Sequence, residues 1–212
     1  ENYDVSKAEV IIPASDISEQ ISLAGKEASG TSNMKFMMNG AVTLGTLDGA
    51  NVEISNFVGE DNAVIFGMRE EEVKAIKFNG TYNPFDIYNS DPQIKAVMDS
   101  LLDGTFSSDH EQFRMIFDEI MYRNDEFMVL KDLESYLQGC KKIETDYLNR
   151  DKWGRECLVN IACSGWFSSD RTIAEYNRDI WHLKKIHWWI TNTKEGRRMF
   201  VSLRVKHTSP CI

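Results

Sequence analysis

The pattern of apolar and polar positions changes near residue 70. Before it, short apolar runs bounded by glycine, at residues 41–45 and 63–67, are typical of strands buried in a parallel sheet. Residues 16–19 have the spacing of a helix capping box, but residues 19–22 fit a short strand equally well. Helices are predicted at residues 6–11, 33–40 and 50–57. This alternation of helices and strands predicts an α/β fold.

Beyond residue 69 the apolar spacing changes to the 3.6-residue period of helices that pack one face on a core. Five apolar stripes follow one another along this part of the chain. They consist of Ile94, Val97, Met98 and Leu101; Phe113, Ile116, Phe117, Ile120 and Met121; Tyr136, Cys140, Ile143 and Tyr147; Cys157, Leu158, Ile161 and Ala162; and Ile173, Tyr176 and Ile180. We therefore expect several amphipathic helices to follow the α/β part.

Charge is distributed unevenly over the 212 residues, whose formal net charge is −9. Residues 1–181 carry 17 basic and 32 acidic side chains, whereas residues 182–212 carry seven basic and one acidic. An acidic body repels phosphodiester backbones, so no nucleic-acid partner is expected. No apolar run approaches the roughly 20 residues that span a bilayer, so no membrane partner is expected either. The basic tail fits a helix on an anionic surface or an end without a selected function.

The four cysteines, Cys140, Cys157, Cys163 and Cys211, form no CxxC pair and have no histidine at ligand spacing. No metal site is therefore predicted. Thiols without disulfide spacing are typical of reduced, cytoplasmic proteins. The first residues do not resemble a signal peptide, so we expect a cytoplasmic chain that begins part-way into a longer protein.

Glycine is concentrated between residues 25 and 49, where five of the 13 glycines occur. Because glycine permits left-handed turns and close backbone approach, this stretch is expected to turn tightly around a bound group. Residues 29–32 are small or hydroxylated and precede a predicted helix, with Thr31 or Ser32 as its N-cap. The N–H groups and dipole at such a helix start suit a phosphate.

Lys35 lies one turn into that helix, on about the same face as Thr31. Its neighbours at positions 34 and 36–38 are apolar, so we expect surroundings in which a lysine must lose or pair its charge. Such a lysine contacts a phosphate, as in a P-loop, or forms a Schiff base with an aldehyde such as pyridoxal phosphate. The GxxxxGKS/T spacing of a P-loop is absent, which weighs against a nucleotide. An ordinary solvated lysine is the remaining interpretation.

Residues 27–35, EASGTSNMK, and residues 39–53, NGAVTLGTLDGANVE, resemble the pyridoxal-phosphate site of the α-glucan phosphorylases, which act on glycogen, starch or maltodextrin. Further segments resemble the same family in the same order, namely residues 1–9, 12–21, 65–67 and 168–173. The resemblance covers residues 1–181.

The resemblance implies that Lys35 is catalytic through pyridoxal 5′-phosphate, which it holds, and that Thr31 and Ser32 bind the phosphate group of this cofactor. It also implies that Tyr3 lies beside the cofactor ring. The family usually has glycine where this chain has Ser32, and the Cβ of a serine would crowd the phosphate.

The same resemblance implies that Glu27, Ser29 and Gly30 line the glucosyl pocket, with Glu27 accepting a hydrogen bond from a sugar hydroxyl. The reaction would be reversible phosphorolysis of terminal α-1,4-glucosidic bonds to α-glucose 1-phosphate. Its partners would be an α-1,4-glucan and inorganic phosphate. The family's other phosphate-binding cations lie upstream of this segment, so the isolated chain is expected to be inactive.

The resemblance also implies a domain organisation. Residues 1–70 would be the later strands and helices of the C-terminal Rossmann-like domain of a GT-B glycosyltransferase, residues 71–181 its helical completion, and residues 182–212 a basic tail outside the family. A missing N-terminal half would complete the enzyme, which would be a homodimer at full length. Two alternatives are a non-catalytic module that binds cofactor or glucan, and a different pyridoxal-phosphate enzyme such as an aminotransferase.

Overall fold

A computed structural model of the protein describes residues 2–184. The predictions for the basic tail beyond Lys184 lie outside these residues. Contacts within the chain divide it into two units, Glu1–Gly165 and Trp166–Ile212. The first unit contains the sheet and most of the helices, and the second is described as far as Lys184.

Three short strands form one parallel sheet in the order β1-β2-β3. Their bounds are β1 Ile17–Gln20, β2 Val42–Gly45 and β3 Val64–Ile65. Ile17 lies opposite Val42, and Gln20 lies opposite Gly45. Because the strands are parallel, the loops that follow Gln20 and Gly45 leave the sheet at the same edge.

Helices separate and follow the strands. Their bounds are α1 Val5–Ile11, α2 Ser32–Met38, α3 Asn51–Val58, α4 Glu70–Asn79, α5 Pro84–Ser90, α6 Pro92–Ser100, α7 Arg114–Met121, α8 Val129–Leu148, α9 Arg150–Cys163 and α10 Ser169–Tyr176, with a 3-10 helix at Ser164–Phe167 and a π-helix at Asn177–Trp181. The α/β character predicted for the first 70 residues is confirmed. Of the two alternatives near residue 19 the strand is the one observed, although it lies earlier than predicted, at Ile17–Gln20. The strand predicted at 63–67 is shorter, since only Val64 and Ile65 pair with β2.

The sheet packs on α8 and α9 through a cluster of buried apolar side chains. The cluster contains Val42, Leu44, Val64, Phe66, Ile143 and Trp153. The stripe predicted on α8 is confirmed, because Ile143 is buried and Tyr136, Cys140 and Tyr147 pack against this cluster. A second cluster joins α6, α7 and the start of α8, with Ile94, Met98, Phe117, Met121 and Leu130 buried.

The apolar stripe predicted on α9 is wrong apart from Cys157, which packs against the cluster under the sheet. Leu158 and Ile161 are 65% and 44% exposed. The buried face carries Trp153, Glu156, Asn160 and Cys163 instead. Asn160 is buried because its amide donates hydrogen bonds to the carbonyls of Asn62 and Glu156, at 2.8 and 3.0 Å. A search for apolar periodicity misses a helix face whose buried members include polar side chains.

The second unit is described through α10 and the π-helix. Ser168 caps α10 by accepting the N–H of Asp170 at 3.2 Å. Arg171 lies 3.9 Å from the centre of the Trp166 ring and pairs with Glu175 at 2.8 Å. The prediction that the last apolar stripe packs on a core is wrong for the described residues, since all three of its members are exposed, namely Ile173, Tyr176 and Ile180.

Candidate active site

Two loops meet at the carboxyl edge of the sheet. Residues 21–31 follow β1 and lead into α2, and residues 46–50 follow β2 and lead into α3. In open α/β sheets, ligands bind in the crevice outside this edge. The loop at 21–31 and the first turns of α2 contain six of the seven residues that the sequence singled out for cofactor or sugar.

Asp48 joins the two loops through one buried carboxylate, and the residue is 4% exposed. Its Oδ2 accepts hydrogen bonds from the backbone N–H groups of Glu27 at 2.7 Å and Lys26 at 3.2 Å. The Ser22 hydroxyl donates to the same oxygen at 2.9 Å, and the Gly25 N–H donates to Oδ1 at 2.9 Å. The turn after β1 is therefore wrapped around this carboxylate.

Gly49 brings the second loop against the backbone of Ser29. The N–H of Ala50 donates to the Ser29 carbonyl at 2.7 Å. Gly49 has a φ of +51°, and a Cβ on it would lie 2.5 Å from that same carbonyl oxygen. Glycine is therefore required at this position, both for its left-handed backbone and for the close approach.

A pair of buried asparagines connects α2 to the loop after β2. Asn33 donates to Asn51 Oδ1 at 3.1 Å and, more weakly, to the Ser29 carbonyl at 3.4 Å. Asn51 in turn donates to the Thr46 carbonyl at 3.1 Å. The two side-chain amides thus add to the hydrogen bonds that hold the Ser29 and Thr46 backbone in place.

The start of α2 has the predicted form. Thr31 is the N-cap and Ser32 the first helical residue, and both are exposed. The Thr31 carbonyl accepts the N–H of Lys35 at 3.2 Å, which places Lys35 one turn into the helix. The Thr31 hydroxyl makes no capping hydrogen bond. In the first turn the Met34 N–H donates to Asn33 Oδ1 at 2.9 Å. The N–H groups of Ser32 and Asn33 have no backbone acceptor within the helix, so they can donate to an anion.

The prediction that Lys35 has apolar surroundings is wrong, because the residue is exposed. The buried positions of α2 are Asn33 and Met37, four residues apart. Lys35 lies on the opposite side of the helix, as does Met38, which is 57% exposed. Neighbours in sequence therefore do not surround the lysine, since the helical period turns their side chains in different directions.

The residues predicted to contact sugar lie between Asp48 and α2. Glu27 and Ser29 are exposed, and Gly30 is half-buried with a left-handed φ of +81°. Tyr3 precedes α1, is 71% exposed and takes no part in the hydrogen bonds that join the two loops. Six of the predicted residues thus lie in the segment that Asp48 and its neighbours hold in place, whereas Tyr3 lies outside this hydrogen-bond network.

A cavity of about 390 Å³ lies between the end of α4 and the segment before α8. None of the residues predicted to bind cofactor or sugar lines it. Tyr82, in its wall, donates to Asp125 at 2.6 Å, and burial together with this hydrogen bond raises the pKa of Tyr82. Lys26 pairs with Glu126 at 3.0 Å, which ties the same wall to the loop after β1.

Residues 2–184 contain neither a candidate metal site nor a candidate membrane-spanning helix. No group of three or more His, Cys, Asp or Glu side chains in that range could hold a metal ion. None of the helices within it is both long enough and apolar enough to cross a membrane.

Comparison with known proteins assigns the chain to a family. The family model described as carbohydrate phosphorylase matches residues 1–183. The chain belongs to the carbohydrate phosphorylase family. The resemblance carried by the residue 27–35 and 39–53 motifs is therefore confirmed.

Three members of the carbohydrate phosphorylase family illustrate the similarity. The glycogen phosphorylase of Bacillus subtilis is 53% identical over 184 residues, which is 87% of this chain and 23% of that protein. The brain form from Mus musculus is 50% identical over 182 residues, 85% and 21% of the two chains. The Haemophilus influenzae enzyme is 48% identical over 186 residues, 87% and 22%. The chain thus spans about a quarter or less of the length of these relatives.

Sequence analysis missed the residues that hold the carbohydrate phosphorylase segment 27–35 in place. Asp48, Asn33 and Asn51 lie within or beside the motifs but were not assigned a role. One signal was available, because Asp48 follows the carboxyl end of a buried strand, where α/β proteins concentrate polar side chains. Its partners are 21 to 26 positions away in sequence, and no local pattern connects them.

Proposed function

We propose that this chain is the cofactor- and glucosyl-binding part of a glycogen phosphorylase. The complete enzyme cleaves terminal α-1,4-glucosidic bonds with inorganic phosphate and releases α-glucose 1-phosphate. One observation carries the proposal: residues 27–35 place Glu27 and Lys35, both exposed, beside the carboxyl edge of a parallel sheet. The 53% identity to the Bacillus subtilis glycogen phosphorylase supports it.

The start of α2 fits pyridoxal 5′-phosphate. Lys35 has an exposed amine, which can bond the aldehyde carbon of the cofactor. Thr31 and Ser32 have exposed hydroxyls at the helix N-terminus, where N–H groups of the first turn also donate to phosphate. When bound, this cofactor supplies a phosphate group that exchanges a proton with the substrate phosphate. Lys35 holds it, and the helix start orients its charged end.

The preceding loop fits a glucosyl unit. The exposed carboxylate of Glu27 accepts hydrogen bonds from sugar hydroxyls, and a charged acceptor strengthens them. Ser29 adds a hydroxyl, and Gly30 permits the left-handed turn into α2, where a Cβ would lie 3.2 Å from the Asn33 side chain. Since an uncharged sugar needs no basic surface, the acidic composition of residues 1–181 is compatible with this substrate.

The remaining groups of the active site come from outside this chain. Two phosphates in contact require dense cationic support, and residues 27–35 contain a single basic side chain, Lys35. We infer that the missing N-terminal half closes the cleft of a GT-B enzyme and that the full-length protein is a homodimer. The isolated 212-residue chain therefore has no phosphorolytic activity.

Cofactor attachment is tested on the 212-residue chain. The purified chain is incubated with pyridoxal 5′-phosphate and reduced with borohydride, and the labelled lysine is located by mass spectrometry of its peptides. We expect the label on Lys35 and its loss in Lys35→Ala. Lys141→Ala, which removes an exposed lysine from α8, is the matched control and keeps the label. Equal labelling of all exposed lysines would contradict a cofactor site at α2.

Catalysis is tested in a chimera. Residues 1–183 replace the matching segment of the Bacillus subtilis glycogen phosphorylase, and release of α-glucose 1-phosphate from glycogen is measured. We expect activity in the chimera, none in its Lys35→Ala variant and none in the isolated chain. A folded chimera that holds cofactor but lacks activity would favour a non-catalytic module, and robust activity of the isolated chain would contradict the need for a second half.

A further inference from the structure

We infer that Asp48 is a positioning residue. It fixes the conformation of the sugar loop, residues 21–31, independently of the cofactor-binding helix α2. The inference rests on the proposed function, because it assigns Asp48 a part in recognising the glucosyl unit through Glu27 and Ser29. Asp48 itself is buried behind this loop and is not a ligand of the sugar. Its carboxylate acts on the backbone that carries the ligands.

The first step is the contact with Glu27. The backbone N–H of Glu27 donates to Asp48 Oδ2 at 2.7 Å, which is the shortest of the four hydrogen bonds that this carboxylate accepts from Ser22, Gly25, Lys26 and Glu27. A residue whose N–H is held to a buried anion has its Cα fixed as well, so the direction of the Glu27 side chain depends on Asp48. The neighbouring N–H groups of Gly25 and Lys26 hold the same turn.

The second step is the contact with Ser29. The chain continues from Asp48 directly into Gly49 and Ala50, and the N–H of Ala50 donates to the Ser29 carbonyl at 2.7 Å. The five-residue loop after β2 therefore holds the sugar loop at Glu27 and at Ser29, and Thr46 adds a third contact by donating to the Ser22 carbonyl at 2.6 Å. A displacement of Asp48 moves the contacts at Glu27 and Ser29 together.

The third step separates the sugar loop from the cofactor helix. α2 is held by Asn33, which donates to Asn51, and by burial of Met37 against the rest of the unit. Neither contact includes the Asp48 carboxylate. The Asn51 N–H does donate to the backbone carbonyl of Asp48 at 3.1 Å, but that carbonyl is retained when only the side chain of residue 48 is replaced. Loss of that carboxylate is therefore expected to impair sugar recognition while leaving cofactor attachment at Lys35 intact.

Asparagine is an informative replacement for Asp48. It has the same shape, but it has no charge, and one of its two acceptor oxygens becomes an NH₂ group that faces N–H donors. Hydrogen bonds to a charged acceptor are the stronger kind, and a buried donor left without a partner is costly. Ser22→Ala is a graded companion, because it removes the hydroxyl donor and leaves the three backbone donors in place.

Asp146→Asn is the matched control. Asp146 is also a buried carboxylate, 5% exposed, but it pairs with Lys142 and Lys152 in α8 and α9. The control removes a buried negative charge without touching either loop at the carboxyl edge of the sheet. General loss of stability therefore affects both variants, whereas a positioning effect is confined to Asp48→Asn.

The structural test uses backbone hydrogen exchange on the 212-residue chain, which needs neither cofactor nor activity. In Asp48→Asn, we expect exchange within residues 22–30 to accelerate by about tenfold or more, with α2 unchanged. Ser22→Ala gives a smaller acceleration in the same peptide, and Asp146→Asn gives none there. Equal exchange in all three variants overturns the inference.

The functional test uses the chimera with the Bacillus subtilis enzyme. In Asp48→Asn, we expect KM for α-glucose 1-phosphate to rise about tenfold, with borohydride labelling of Lys35 at the level of the parent chimera. Asp146→Asn keeps the parent KM. If Asp48→Asn does not fold, Ser22→Ala is used instead, and we expect its KM to rise by a smaller factor.

The outcomes distinguish this inference from the proposed function. A parent chimera without cofactor or activity contradicts the proposed function, whereas hydrogen exchange still decides whether Asp48 holds the loop. A working parent in which Asp48→Asn and Asp146→Asn have equal KM overturns the positioning role alone. Loss of the Lys35 label in Asp48→Asn also overturns it, because it shows that the carboxylate supports the cofactor helix.

Discussion

The side-chain amide of Asn33 donates a hydrogen bond to Asn51 across 3.1 Å, and so connects the helix that carries Lys35 to the first residue of α3. Both asparagines are 2% exposed. A buried amide pair of this kind stabilises a fold only while every member keeps its partner. The pair is therefore a sensitive point in the attachment of α2 to the sheet.

Replacing Asn51 with alanine should lower the free energy of unfolding by about 1–3 kcal/mol, because it removes two buried hydrogen bonds, the one from Asn33 and the one to the Thr46 carbonyl. Asn33 then retains only its weaker hydrogen bond to the Ser29 carbonyl, and the Thr46 carbonyl retains the one from the Asp48 N–H. Urea unfolding of the 212-residue chain measures the change. The control is Asn89→Ala, at an exposed position of α5, where we expect a change below about 0.5 kcal/mol. Equal effects of the two substitutions would contradict the importance of the pair.

Gly49→Ala should disturb the approach of the two loops. Gly49 and Gly80 both have left-handed φ angles, +51° and +62°, but a Cβ meets the Ser29 carbonyl at 2.5 Å in the first case and nothing within 4 Å in the second. We expect Gly80→Ala to cost about 1–2 kcal/mol through backbone strain. Gly49→Ala should cost about 2–5 kcal/mol, since overpacking adds to the strain. Equal decreases of the urea midpoint in the two variants would show that the loops at Gly49 and Ser29 can move apart without loss of stability.

The short-range features of this protein could be predicted from its sequence. α2 and its N-cap Thr31 follow from a few adjacent residues, as does β2 between two glycines. The segment 27–35 was identified because its motif is continuous in sequence. Local backbone preferences and the family motif therefore suffice for the elements that carry the proposed chemistry.

Features that depend on distant contacts could not be predicted. Lys35 is exposed because Asn33 and Met37 face the interior, and only the packed structure determines which side of α2 that is. Asn160 is buried because it donates to Asn62, which is 98 positions earlier in the chain. Asp48 likewise has partners in a loop that precedes it by more than 20 residues. The spacing of residue types along the chain does not indicate these contacts.

Ser32→Gly should tighten cofactor binding, because it removes a Cβ at the first position of α2, where the proposed phosphate is bound. We expect the dissociation constant for pyridoxal 5′-phosphate to fall by up to about tenfold in an absorbance titration of the 212-residue chain. Ser169→Gly changes the first residue of α10 in the same way and should leave the constant unchanged. Weaker binding in Ser32→Gly would instead assign the Ser32 hydroxyl a favourable contact with the phosphate.

Two buried carboxylates between α8 and α9 have pKa values displaced in opposite directions. Burial opposes ionisation of Asp146, but hydrogen bonds from Lys142 and Lys152 lower its pKa below the ordinary value. Burial, followed by the charge of Asp146, raises the pKa of Glu156. Ionised Asp146 therefore stabilises the folded state, whereas ionised Glu156 destabilises it.

The two substitutions that mimic protonation should consequently differ in their pH dependence. Asp146→Asn should lower the free energy of unfolding by about 1–3 kcal/mol at pH 7, and the deficit should stay constant down to about pH 5, since the folded pKa lies below the ordinary 3.8. Glu156→Gln should raise stability at pH 7, and this gain should shrink as pH falls toward the ordinary 4.5. Urea midpoints between pH 5 and pH 7 measure both trends. A gain for Glu156→Gln that does not change over that range would show that its carboxyl already ionises normally in the folded protein, and the opposition between the two groups would be disproved.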